Sequence, residues 1–341
     1  MNEFDDYLAE CRALVLEEIR DIIPKDPRYG PVLYELMLDY PLREGKGFRP
    51  ALCIATCRAL GGHLEATLRT AAVLELYHNA FLIHDDFEDG SLMRRGDNTL
   101  HRKYGAPIAI NVGDAMLALS LSPLLDNMEL LGLGKALRIL RVVADMARES
   151  AEGQALELFW IREGRWDLSD EDYFHLVHKK TCWYTFLAPI LIGGIIKGVA
   201  DDKMKTLEAF AVELGVAFQI VDDVLNLEVG DGAYGKEHLG DLWEGKHTLI
   251  LMHAMRTANP SDTTRAQEIL QKSRADKTDE EVRELHAIVE RTQSVDYARN
   301  VAYSRASNAR EILSNTTDWL QPSVHRAFLE QIVDRVVQRN R

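Results

Sequence analysis

Along most of the chain, apolar residues return every three or four positions, the period that lines one face of an α-helix. Leu52, Thr56, Ala59 and Leu60 mark one such face, and Val73, Tyr77, Ala80, Phe81 and His84 a second. Leu207, Phe210, Leu214, Ala217, Phe218 and Val221 mark a third. Alternating runs bounded by Asn-Gly or Asp-Gly turns are missing, so strands are not expected. The punctuation agrees with helices. Pro50 suits a first turn, Gly61-Gly62 a helix end, and Ser169 with Asp172 and Thr278 with Glu281 make N-terminal capping patterns. Two stretches, 71–83 and 209–224, are apolar around much of their circumference and belong at the centre of a bundle. The polar segment 259–279 is expected to be a surface loop with a short helix. With no repeat, linker or break in composition, residues 1–341 are read as one all-α domain, a single large helical bundle around a central cavity.

Composition changes this picture in two ways. Of 341 residues, 46% are hydrophobic and 28% charged, which is ample for a core. The formal net charge of −14, without any long basic run, argues against a nucleic-acid footprint. It also sets a condition: an anionic ligand would be repelled unless metals or local cations reverse the field. Cys11, Cys53, Cys57 and Cys182 have neither disulfide-framework nor zinc-site spacing, and read as reduced thiols of a cytoplasmic protein. The acidic, amphipathic first twenty or so residues do not resemble a signal peptide. The uncharged run 181–196 is interrupted by Pro189 and Gly193-Gly194 and falls short of the roughly 20 residues that span a bilayer. No membrane span is expected.

Two acidic clusters carry the candidate chemistry. The apolar helix through Leu74 and Phe81 runs into Asp85-Asp86-Phe87-Glu88-Asp89, where Asp85 and Asp89 are one turn apart and can converge. A second apolar helix ends in Asp222-Asp223-Val224-Leu225-Asn226. Oxygen-only ligands suit a hard cation such as magnesium, which takes one or two carboxylates and completes its shell with phosphate oxygens and water. The cations that the charge condition requires lie nearby in sequence. They are Gly45-Lys46-Gly47-Phe48-Arg49-Pro50, Arg94-Arg95-Gly96, Gly235-Lys236 and Gly240 to Thr248 with Lys246, each pairing glycine with Lys or Arg. None has Walker-loop spacing. Together the acids and cations predict a pocket that binds diphosphates.

In these motifs the sequence resembles the trans-type polyprenyl diphosphate synthases, the farnesyl and geranylgeranyl diphosphate synthases and their relatives. The resemblance runs from about Tyr40 to the last helix and includes Gly153-Gln154 and Lys180-Thr181 in the family's order. It implies condensation of isopentenyl diphosphate with an allylic diphosphate, and about three magnesium ions. Asp85 and Asp89 would hold two ions and Asp222 a third; Asp86, Asp223 and Asn226 complete the candidate metal set. Arg94, Lys180, Lys236 and Lys246 would bind the allylic diphosphate, and Lys46, Arg49, His78 and Arg95 that of isopentenyl diphosphate. Thr181 and Gln219 would line the reacting centre. The resemblance also implies a homodimer. Two positions depart from the family pattern: Gly47 stands where many members carry a basic residue, and Asn226 replaces the usual last aspartate. Phe81 and Ala80 hold the places where large side chains stop the product early, with Tyr77 a turn further down. One bulky and one small residue there lead us to expect a C20 product, geranylgeranyl diphosphate. A terpene cyclase, a farnesyl or longer-chain synthase, and a non-catalytic partner subunit are the alternatives.

Overall fold

A computed structural model describes residues 3–43, 45–228 and 238–338, and it is built almost entirely of helices. We number those that concern the site: α1 Glu3–Ile22, α2 Phe48–Ala59, α3 Glu65–Glu88, α4 Ala106–Leu119, α5 Leu121–Leu131 and α6 Leu133–Glu163. They continue with α7 Asp170–Val177, α8 Ala188–Lys197, α9 Asp201–Glu228, α10 Gly240–Glu244, α11 Leu249–Thr257, α12 Pro260–Leu270 and α13 Asp279–Arg291. A wide π-helical segment, His178–Leu187, joins α7 to α8.

The chain forms two compact units. The first takes residues up to Ala147, Tyr184–Ala211 and Ile312–Ile332; the second takes Arg148–Trp183, Val212–Glu311 and residues from Val333 on. In the first unit α3 is the central helix. From Thr70 to Ala80 every residue except Glu75 is buried, so it has no solvent face. α2 packs on α3 and on α8, and α1, α4 and α5 cover other sides of α3. One of the glycines that interrupt the uncharged run, Gly193, makes the α8–α2 packing possible. A Cβ on Gly193 would stand 2.7 Å from the Cys53 carbonyl oxygen, so α8 approaches α2 closely only because the side chain is missing.

In the second unit, both expected N-terminal caps are present, each as a capping box. The Ser169 and Thr278 side chains accept the Asp172 and Glu281 N–H groups, and those acids reach back to the cap N–H. The segment 259–279 is mostly exposed, yet α12 within it buries Ala266, Ile269 and Leu270.

The expectation of no strands needs one correction. Met93–Arg94 and Asp97–Asn98 pair antiparallel, closed by Arg95 and Gly96 at φ 50° and 78°. Two consecutive left-handed residues make the tight turn whose twist suits a hairpin. Arg-Gly is a weaker signal for it than Asn-Gly, which is why the pattern was not legible.

Candidate active site

Asp85 and Asp89 close α3. The helix ends at Glu88, and the Asp89 N–H caps it on the Asp85 carbonyl at 2.8 Å. Its last turn carries acids and no basic residue. Carboxylates gathered at the negative end of a helix dipole repel both one another and the dipole, and a bound cation relieves that strain. α9 ends the same way, with Asp222 and Asp223 close to its C-terminus and no basic residue in its last turn. Among the described residues no three His, Cys, Asp or Glu side chains form a cage by themselves. Oxygen pairs of this kind suit a divalent ion whose shell is finished by phosphate and water.

Two of the expected ligands are engaged by other side chains in this structure. Asp86 is fully buried and faces the protein: its Oδ2 accepts the Tyr40 hydroxyl at 2.6 Å and its Oδ1 accepts Arg94 Nε at 2.9 Å, with Arg94 Nη2 also on Oδ1. In this structure Asp86 thus holds Arg94 and the Tyr40 hydroxyl. It fixes Arg94, whose Nη2 lies 3.9 Å from Asp85 Oδ2.

Asp223 is likewise engaged, accepting Gln219 Nε2 at 2.7 Å and the Tyr173 hydroxyl at 2.9 Å. Burial, then the charges of Asp241 and Asp222, pushes its carboxyl well above the usual range. The Asn226 amide oxygen accepts the Asp241 N–H at 3.0 Å and so ties the end of α9 to α10. An aspartate could make the same bond, so the departure at this position leaves the turn intact. Asp222 is half-buried, whereas Asp223 and Asn226 are buried.

The cations of the first unit converge. Arg49 donates through Nη2 to Thr185 Oγ1 at 2.7 Å, and its guanidinium lies 4.5 Å over the Tyr184 ring. Arg95 gives Nη1 to the Tyr40 carbonyl at 2.8 Å, and its Nη2 is 3.3 Å from His78 Nε2. Arg95 lies flat against Gly45, where a Cβ would stand 2.8 Å from its guanidinium carbon. Gly47 has φ 66°, so a basic side chain there would be strained; this accounts for the second departure.

Burial, and then Arg49, Arg95 and Arg94, hold the His78 pKa well below its usual value, so the ring is neutral. An arginine can only donate, so Nε2 accepts and the ring proton sits on Nδ1. That Nδ1 and Arg49 Nε are buried without a hydrogen-bond partner among the described residues. Orphaned donors in a cationic cluster fit an anion with many oxygens.

Other expected residues lie in the second unit. A Cβ on Gly153 would stand 2.6 Å from the Lys180 backbone nitrogen, so this glycine lets the π segment lie on α6. Lys180 is then paired with the buried Glu157, one turn along α6. Thr181 donates its hydroxyl to Gln219 Oε1 at 2.8 Å, which continues the chain to Asp223 and Tyr173. Lys246 pairs with Glu244 at 3.0 Å. Lys46 is exposed, its ammonium 5.9 Å from the Phe48 ring. Lys236 lies outside the described residues. Tyr77 and Phe81 stack edge to face at 5.8 Å, Phe81 meets Tyr184 at 5.7 Å, and Ala80 is fully buried.

A sequence model described as polyprenyl synthetase matches residues 31–289. The chain belongs to this family. A geranylgeranyl diphosphate synthase of Sulfolobus acidocaldarius is 30% identical over 317 residues, 93% of this chain and 93% of its own. Among solved structures, the geranylgeranyl pyrophosphate synthetase of Pyrococcus horikoshii superposes with a TM-score of 0.87 at 31% identity, covering 99% of this chain and 100% of the other. A polyprenyl synthase of Caulobacter crescentus, solved with calcium and isoprenyl diphosphate, has a TM-score of 0.86 at 26% identity, covering 99% and 98%. The all-α isoprenoid synthase fold follows from these likenesses.

Sequence reasoning overlooked the residues that hold the site residues in place: Tyr40, Tyr173, Glu157 and Tyr184. Nothing near them in the chain marks them; only the fold brings them to their partners.

Proposed function

We propose that the protein joins isopentenyl diphosphate head to tail to an allylic diphosphate, with magnesium, and that its product is geranylgeranyl diphosphate. The Arg49–His78–Arg95 cluster, with the buried His78 and two unpartnered buried donor atoms, carries this reading. A synthase must bind a second diphosphate that stays on its substrate, whereas a cyclase has none to bind. Asp85, Asp89 and Asp222 would hold the divalent ions, about three in number. When bound, the metal neutralises the departing diphosphate and so favours ionisation to an allylic cation. Arg94, Lys180 and Lys246, with Lys236, bind the same diphosphate. Lys46, Arg49, His78 and Arg95 hold isopentenyl diphosphate so that its double bond can attack. Thr181, whose hydroxyl donates a hydrogen bond to Gln219, keeps oxygen lone pairs with which to stabilise positive charge.

Product length follows from the α3 face. Phe81, one turn before Asp85, is braced by Tyr77 and Tyr184 and forms the stop. Ala80 is sealed within the packing. Incubation with isopentenyl diphosphate, magnesium and each allylic starter is expected to yield mainly C20 diphosphate on chromatography, and Phe81→Ala to yield longer chains. Hydrocarbon from geranylgeranyl diphosphate alone would favour a cyclase, and unchanged length in Phe81→Ala would reject the stop.

The protein is further read as a cytoplasmic homodimer. Its four cysteines are buried and unbridged, as in a reducing compartment. The stretch Ala106–Leu131 is apolar enough by length and composition to cross a membrane, but it is two helices broken at Ser120 and carries Asp114, Asp126 and Glu129. Ile108, Leu121, Leu125, Met128 and Leu130 on it are exposed, with Leu133 and Leu137 following. A second copy would cover this apolar strip. Light scattering should give twice the chain mass, and Leu125→Asp should lower it toward one chain; a monomeric wild type would refute the dimer.

A further inference from the structure

The segment between α12 and α13 was expected to be surface without a role, yet it carries two cations that reach the turn bearing Lys246. That turn begins with α10, whose Asp241 carbonyl accepts both the Gly245 and Lys246 N–H groups at 3.0 Å. Gly245 closes the helix at φ 74°, a left-handed conformation that reverses the chain. His247 follows, stacked on Trp166 at 4.1 Å with Nε2 2.5 Å from the Arg165 carbonyl, and Thr248 then caps α11. Lys246 thus projects from a tight link between two helices, and small changes in the link move its ammonium.

Lys277 is only 7% exposed, which is costly for a lysine. Its Nζ donates to the Trp243 carbonyl at 2.7 Å and lies 3.5 Å from where a Cβ on Gly245 would stand. It therefore satisfies a carbonyl in the last turn of α10 that the short helix leaves open. Burial lowers its pKa to about 8. Arg274 acts on the side chain. Glu244 shares its carboxylate between Lys246, at 3.0 Å, and Arg274, at 3.4 Å, and the Arg274 guanidinium lies 6.0 Å from the Trp243 ring. By drawing on the same carboxylate, Arg274 loosens the hold of Glu244 on Lys246 and leaves the lysine able to turn to another anion.

We propose that Lys277 and Arg274 are positioning residues for Lys246: Lys277 fixes the backbone of its turn, and Arg274 competes for the carboxylate that would otherwise retain it. This rests on reading Lys246 as a ligand of the allylic diphosphate. Steady-state kinetics of Lys277→Met, Lys277→Arg, Arg274→Gln and Lys246→Gln, with farnesyl diphosphate and isopentenyl diphosphate varied separately, tests it. In Lys277→Met and Arg274→Gln the KM for farnesyl diphosphate should rise about tenfold, with kcat and the KM for isopentenyl diphosphate within about twofold of wild type. Lys277→Arg, which keeps a donor, should recover most of the loss. An equal rise in both KM values, or a fall in melting temperature without any KM change, overturns the proposal. If Lys277→Met does not fold, Arg274→Gln decides alone, since that side chain is partly exposed. If Lys246→Gln leaves the farnesyl diphosphate KM unchanged, the assignment of Lys246 itself fails. If Lys246→Gln raises it while the other two variants do not, only the positioning claim fails.

Discussion

Asp86→Ala is expected to destabilise the protein by about 3–5 kcal/mol, the cost of removing one partner from a buried ion pair. The side chain is fully buried, and three groups depend on it: the Tyr40 hydroxyl and two nitrogens of Arg94. Removing it leaves a guanidinium whose own side chain is 12% exposed with only Asp85, 3.9 Å away, as counter-charge among the described residues. The Tyr40 hydroxyl would keep the Leu100 N–H it accepts at 3.1 Å but would lose its own acceptor. Chemical denaturation should therefore show a markedly lower midpoint with an unchanged slope. A variant as stable as wild type would contradict the holding role given to Asp86. Activity should fall as well, because Arg94 and, through the Tyr40 carbonyl, Arg95 lose their anchor.

Asp85→Ala is expected to behave in the opposite way. Turnover should fall by about a thousandfold or more, the scale of several kcal/mol of lost charge stabilisation. Stability should hold or improve, because one of several like charges at the negative end of α3 is gone. Excess magnesium should not restore the rate. The contrast between neighbouring aspartates is the diagnostic result: loss of both stability and rate at position 86, loss of rate alone at 85. If both variants lost only stability, the cluster would be a structural helix end and the metal reading would fail.

The sequence made plain what depends on local period and charge. An apolar helix that runs into Asp85 and another that runs into Asp222 are visible because burial and acidity alternate abruptly along one chain. Which aspartate faces outward was not visible. Asp85 and Asp86 are adjacent and chemically identical, and Arg94 with Tyr40, 46 residues away, sets their surroundings apart. Asp223 is engaged by Tyr173, 50 residues away, for the same reason. Other features escaped because their signals are weak. Arg95-Gly96 closes a hairpin without an asparagine, and the π segment around Lys180 and Thr181 looks in sequence like ordinary helix. Gly193 looked like an interruption and is a packing contact. Nothing in the polar stretch 259–279 marks Lys277, whose ammonium is buried on the Trp243 carbonyl. In each case the missing information was a partner supplied by the fold.

Calorimetric titration with inorganic pyrophosphate, with and without magnesium, bears most directly on whether these acids act through metal-bound diphosphate. Pyrophosphate should bind the wild type tightly only when magnesium is present, and Asp85→Asn and Asp222→Asn should each weaken that binding about tenfold or more. Equal affinity without magnesium, or unchanged affinity in either variant, would contradict the account.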